Sequence, residues 1–177
     1  MLLAVLQWAG ATARGNLAFN LIPDPGTPQS VMDAFNLAAN RWSTVIADNI
    51  TVNLAVGYQS LPFGVLGQTI NESVTPDYAS VLAALNASAS SAVDVSAYSQ
   101  LQSGPNYTRL VNHTADNPNG ANSAQPYTQS LTPVYVTQAN AKTLGLLAPS
   151  ANLDGTIRFS SNVPFDFNPA DGTTSGE

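Results

Sequence analysis

The chain has 177 residues, five basic side chains against eleven acidic ones, one histidine, no cysteine and a net charge of −6. Nucleic-acid binding is excluded, because it needs Lys and Arg to neutralise phosphates, and Arg14, Arg41, Arg109, Lys142 and Arg158 are scattered along the chain. Disulfides, thiolate nucleophiles and cysteine-based metal sites are excluded together, and the length predicts one domain that buries roughly 70% of its unfolded surface.

Only 9% of the residues are charged, against roughly 25% in ordinary soluble domains. Neutral Asn, Ser, Thr and Gln must supply the solubility, a composition that favours an extracellular protein. Met1 to Gly10 is mostly apolar, and Ala11-Thr12-Ala13 fits the small-residue cleavage site of a secretory leader. Residues 1–13 are therefore expected to be a signal peptide and residues 14–172 a single domain. No basic residue precedes the apolar run, which leaves open that Leu2 to Trp8 is a buried strand or part of a longer leader. The run is too short to span a bilayer, and no other window can.

Leu17, Phe19 and Leu21 alternate with polar or small residues, the period of a half-buried strand that ends at Pro23-Asp24-Pro25-Gly26. Thr27-Pro28 then reads as a helix N-cap with proline at the first helical position. Val31, Phe35, Ala38, Trp42 and Val45 give a helix from about Pro28 to Ala47 one apolar face, with Trp42 in the core. Ile50, Val52, Leu54 and Val56 alternate as a second strand, so the start of the domain reads as a βαβ unit with parallel strands.

Leu61 to Gly67 is irregular, broken by Pro62, Gly64 and Gly67. Thr75-Pro76 opens a helix through about Asn86, with Asp77 in its first turn, and a weakly amphipathic helix is expected from about Ala92 to Gln102. Residues 103–130 show no usable periodicity and are expected to form one long polar loop. Pro133 to Val136 reads as a short strand, Thr137 as the N-cap of a helix through about Leu147, and Gly155 to Ser160 as a strand in which Ile157 and Phe159 stand two apart.

Five glycosylation sequons occur, at Asn49, Asn71, Asn86, Asn106 and Asn112. Composition alone accounts for about three; Asn49, directly before a strong strand, is expected to be partly buried. Asp166 to Glu177 has the length of a calcium loop, but Ala170 holds a ligand position and the Asp171-Gly172 pair comes one residue late, so a turn is expected. His113 has no sequence partner for general-base work and no Gly-x-Ser-x-Gly elbow accompanies it. With one histidine and only Glu72 and Glu177 as glutamates, neither a zinc site nor a glycosidase pair assembles. No catalytic residue, metal ligand or cofactor is expected within this chain. Tyr107 and Tyr127 are the candidates for exposed, sugar-stacking aromatics.

Taken together, several motifs resemble a family of secreted zincin-like metalloproteases. They are the strand Leu17 to Leu21, the helix end Ala39-Asn40-Arg41-Trp42, the strand Ile50 to Val56, and the turn Gly64-Val65-Leu66-Gly67. Thr137 to Leu146 and the Asp154-Gly155-Thr156-Ile157-Arg158-Phe159 strand with its Phe165-Asp166-Phe167 follow-up complete the set.

The resemblance implies a mixed α/β (α+β) fold: an incomplete zincin-like N-terminal subdomain, with a βαβ start and a mixed sheet packed by helices. In that family a His-Glu-x-x-His helix comes next, holding zinc and activating its water. This sequence has no such motif, so residues 173–177 read as a truncated tail and the chain is expected to be inert as a protease. By the same resemblance Ile157, Arg158, Phe159 and Ser160 are expected to form the sheet edge where an extended peptide substrate adds as a further strand. The alternative is a complete non-catalytic secreted module that binds peptide or glycan. The oligomeric state stays open.

Overall fold

The computed structural model describes residues 17–167 and Gly172. The expected leader at 1–13, the tail at 173–177 and, apart from Asp166, Phe167 and Gly172, the calcium-loop segment lie outside the described residues. Within them the chain is mixed α/β, with four helices and a mixed four-stranded sheet. None of these helices is long and apolar enough to cross a membrane.

The start of the domain is a strand–helix–strand unit. Strand β1 (Ala18–Pro23) pairs in parallel with β2 (Thr51–Gln59), and α1 (Gln29–Val45) connects them. The turn before α1 differs by one residue from the expected cap. Thr27 donates its hydroxyl to the Asp24 carbonyl at 2.8 Å, closing a turn in which Gly26 has φ 84°, and Pro28 becomes the N-cap without a side-chain bond. A threonine already committed to a turn carbonyl is unavailable to the helix.

β8 (Gly155–Ser160) adds beside β2 in parallel, Val56 opposite Ile157, and β3 (Gly67–Asn71) closes the sheet antiparallel to β8, giving the order β1-β2-β8-β3. This corrects the expected edge: Ile157, Arg158, Phe159 and Ser160 lie in an interior strand bonded on both sides. The edge on that side is β3. Its Gly-Gln-Thr-Ile-Asn sequence is exposed at every position, so burial imposes no alternation that periodicity could detect.

One sheet face carries Phe19, Leu21, Leu54, Ile157 and Phe159 and packs on α1. Val31 and Val56 are almost fully buried there, and the Phe35 ring lies 5.8 Å from that of Phe159. The other face presents Asn53, Ala55 and Gly57, all buried.

A second small core lies where β4 (Ser73–Val74), α2 (Tyr78–Ser88), β7 (Val136–Thr137) and α4 (Gln138–Thr143) meet, centred on Val81, Val136 and Ala141. α3 (Ala92–Ser99) follows α2 behind a capping box. Thr137 caps α4 as its sequence predicts, accepting from the Asn140 N–H at 3.3 Å. The helix ends before Leu147, because Leu146 and Leu147 both turn their N–H groups back to the Ala141 carbonyl and Gly145 takes φ 70°.

The segment 103–130 is not a structureless loop. β5 (Tyr107–Val111) and β6 (Tyr127–Leu131) pair antiparallel as a hairpin arm, with Arg109 donating to Gln129 across the strands. Buried Asn117 organises its tip, bonding the Ser123 and Gln125 carbonyls and accepting from the Asn119 N–H. β5 is exposed at its three central positions and β6 is no more than half-buried, with polar Gln129 at one of its inward places, so here too the polar pattern hid the pairing.

Candidate functional site

The site is built around the position of β8, which a polar knot beneath the sheet fixes. Lys142 on α4 places its ammonium 2.6 Å from Asp154 Oδ2, both side chains at most 2% exposed, and also donates to the Thr51 carbonyl at 3.3 Å. Asp154 Oδ2 accepts the Asn53 N–H at 2.8 Å. Asn53 Nδ2 in turn donates to the Ser150 and Asn152 carbonyls, and its Oδ1 accepts from Asn20. The start of β8 is thereby tied to β2, β1 and α4 at once. Burial makes the two charges depend on each other, because removing either would leave its partner uncompensated out of water.

A second pair crosses the same face: Arg158 Nε reaches Asp24 Oδ2 at 2.6 Å, over Gly57. The hydrogen bond that Arg158 donates to Asp24 raises the guanidinium's affinity for its proton. With side chains 26% and 21% exposed, the pair orients β8 more than it stabilises it.

The edge strand held by β8 has a definite polarity. Ser160 donates to Leu66 O and Glu72 donates to Asp154 O, which places the hydrogen-bonded pairs of the β3–β8 register at Gln68 opposite Arg158 and Ile70 opposite Thr156. The N–H and C=O groups of Gly67, Thr69 and Asn71 therefore point away from the sheet. No partner is found for them among the described residues. These three residues, spaced by two, form a main-chain docking strip, and their side chains share the face of Ile157 and Phe159. Sequence reasoning missed them; the only local signal was two strand-favouring residues, Thr69 and Ile70, between Gly67 and Asn71.

On that face lies an open apolar groove of about 710 Å³ lined by α1 and the sheet, among them Phe19, Phe35, Trp42, Ile157, Phe159 and Phe165. Trp42 is 57% exposed, which corrects its expected place in the core: the C-terminal half of α1, with Leu37 and Val45 also exposed, has no covering element among the described residues. Phe165 packs edge-on against Phe159 at 5.4 Å, and Phe167 does the same with Tyr58, so the Phe-Asp-Phe run forms one lip of the groove.

No family model, no curated protein and no solved structure matches this chain.

The residues singled out from sequence are thus dispersed. Ile157 and Phe159 line the groove, Arg158 pairs on the opposite face, and Ser160, 1% exposed, is structural: its N–H holds Leu66 and its hydroxyl accepts the Asn162 N–H. All five sequon asparagines are exposed, Asn49 included, against its expected partial burial. Asn71 ends β3, Asn106 Oδ1 accepts from Thr132, and Asn112 Nδ2 donates to Ala124 O. Tyr107 is half-buried against Tyr78, ring centres 5.4 Å apart, and half-buried Tyr127 bonds its hydroxyl to Asp116 and Thr114. The exposed aromatics among the described residues are instead Phe63, Tyr135 and Trp42. His113 takes φ 53° and sits 3.1 Å from Asn122 O, a turn residue of the hairpin tip. No group of three or more His, Asp or Glu able to hold a metal ion occurs among the described residues.

Two exposed carboxylates titrate low. The Ser91 N–H, then its hydroxyl and the Ser90 N–H, hold Asp94 below its ordinary 3.8; Thr114 and then Tyr127 do the same for Asp116. A carboxylate lowered by folding contributes stability above its unfolded value and loses it as pH falls through the folded one. The α3 cap is therefore expected to loosen only below about pH 3.8. Amide exchange at Ser90 and Ser91 followed through an acid titration checks this; loosening already at pH 5 would contradict it.

Proposed function

We propose that this chain is the non-catalytic N-terminal half of a secreted zinc metallopeptidase of the zincin type, and that it seats an extended peptide substrate along β3. The observation that carries the reading is the open antiparallel edge, where Gly67, Thr69 and Asn71 offer alternate donors and acceptors to an incoming strand. The groove beside it supports the same reading. In the resembled family the His-Glu-x-x-His helix follows the Phe-Asp-Phe run, and here Phe165 and Phe167 stand at the lip of an open apolar groove between α1 and the sheet. The zinc and its activated water would come with that helix; this chain supplies the wall that aligns the peptide. Engagement of Tyr107 and Tyr127 with their neighbours speaks against glycan stacking as the role of the hairpin arm.

Thr69→Pro separates edge addition from stability, because the lost N–H points outward while Gln68 and Ile70 keep the ladder to β8. Titration of fluorescent extended peptides is expected to show binding to the wild type and a loss on the order of tenfold in the variant, with an unchanged circular dichroism spectrum. Equal affinity in the two proteins would refute the edge as the site. The 177-residue chain is expected to leave casein uncut with zinc present; zinc-dependent cleavage, or tight stoichiometric zinc uptake by calorimetry, would overturn the assignment of the chemistry to a His-Glu-x-x-His helix outside these residues.

A further inference from the structure

The free edge of β3 is complementary to itself. Its outward groups come from Gly67, Thr69 and Asn71, so Thr69 stands at the centre of the strip. An antiparallel two-fold axis through Thr69 sets Gly67 opposite the second copy's Asn71 and Gln68 opposite the second copy's Ile70. Three hydrogen-bonded pairs result, each exchanging two main-chain bonds.

The side chains agree with that register. Glycine leaves space for the facing asparagine, threonine facing threonine is a favourable cross-strand pair, and Gly67–Asn71 contains no charge to repel its copy. On the opposite face Ile70, 46% exposed, lies diagonal to the second copy's Ile70 and to its Leu66, 56% exposed. Lysine, proline and bulges, the usual means of keeping edges apart, are missing from the strand. A symmetric partner is the occupant this geometry selects, since a two-fold contact requires one patch to match itself.

We propose that two copies of this chain pair through β3, antiparallel about Thr69, merging their four-stranded sheets into one continuous sheet. The contact is small, so the dimer is weak and concentration-dependent. Pairing occupies the same main-chain groups as an added peptide; that competition rests on the peptide-binding reading, whereas the pairing itself does not.

Sedimentation equilibrium of the full chain over a wide concentration series is expected to show reversible dimerisation, with amide exchange at Gly67, Thr69 and Asn71 slowing as concentration rises. Thr69→Pro is expected to weaken the dimer on the order of tenfold. Should that variant fold poorly, Thr69→Lys sets two like charges face to face and is expected to weaken it comparably, with recovery at high salt. A chain monomeric throughout, or a dimer that a folded variant leaves intact, overturns the proposal. Peptide titration on dilute monomer keeps the two readings apart: dimerisation without peptide binding sinks only the functional reading, and peptide binding without dimerisation sinks only the pairing.

Discussion

Replacing Lys142 by methionine is expected to cost about 3–5 kcal/mol, the penalty for stranding a buried carboxylate. For a domain of this length that corresponds to a fall in Tm of roughly 10 °C. Asp154 is 1% exposed at its side chain and its Oδ1 already lacks a partner among the described residues, so with the ammonium removed the Asn53 N–H is what remains there to answer the charge. The double variant Lys142→Met, Asp154→Asn is expected to recover a good part of the loss, because a neutral amide oxygen still accepts from Asn53 without a charge to solvate. Thermal unfolding of the four proteins in the cycle measures this. A single-variant loss below about 1 kcal/mol would mean that the pair behaves as a hydrated surface contact, and the account of the knot would fail.

Gly155→Ala is expected to destabilise by about 1–3 kcal/mol through overpacking. A Cβ at this position would stand 2.8 Å from the Ile70 carbonyl oxygen, a main-chain atom that can move only if β3 moves. Lifting the edge strand from β8 should speed amide exchange at Gln68 and Ile70 and weaken peptide binding along with stability. Gly67→Ala is the control: its Cβ would lie 3.4 Å from the Arg158 carbonyl and the Phe159 ring, contacts that a small shift relieves. If the two alanine variants unfold at the same temperature, close approach at Gly155 is not what holds the edge.

The legible and illegible parts of this chain divide along burial. β1, α1, β2 and β8 were readable because the groove face and the sheet interior impose alternation at Phe19, Leu21, Leu54, Ile157 and Phe159 and helical spacing at Val31 and Phe35. β3 was not, because it is exposed at every position, and β5 and β6 were not, because no side chain in them is more than half-buried and polar Gln129 takes one of the inward places. The site suffered most from this. The family resemblance places the edge at β8, whereas the actual edge, β3, carries a sequence that could pass for a loop. Strand order is likewise invisible in local sequence, since β8 enters between two strands formed from the first half of the chain. Trp42 illustrates the converse limit: helical spacing identifies the apolar side of α1 correctly but does not say whether anything lies against it.

The insertion of β8 between β2 and β3 also governs when the sheet can form. Leu54 meets Gly155, and the Asn53 to Asp154 bond joins residues 101 positions apart, a closure worth ~4 kcal/mol of chain entropy. During synthesis β2 and β3 leave the ribosome long before their shared neighbour, so both wait with unsatisfied edges until Ser160 has emerged. Refolding is accordingly expected to be slow and prone to off-pathway association, and a nascent chain stalled before residue 155 would be a client for chaperones.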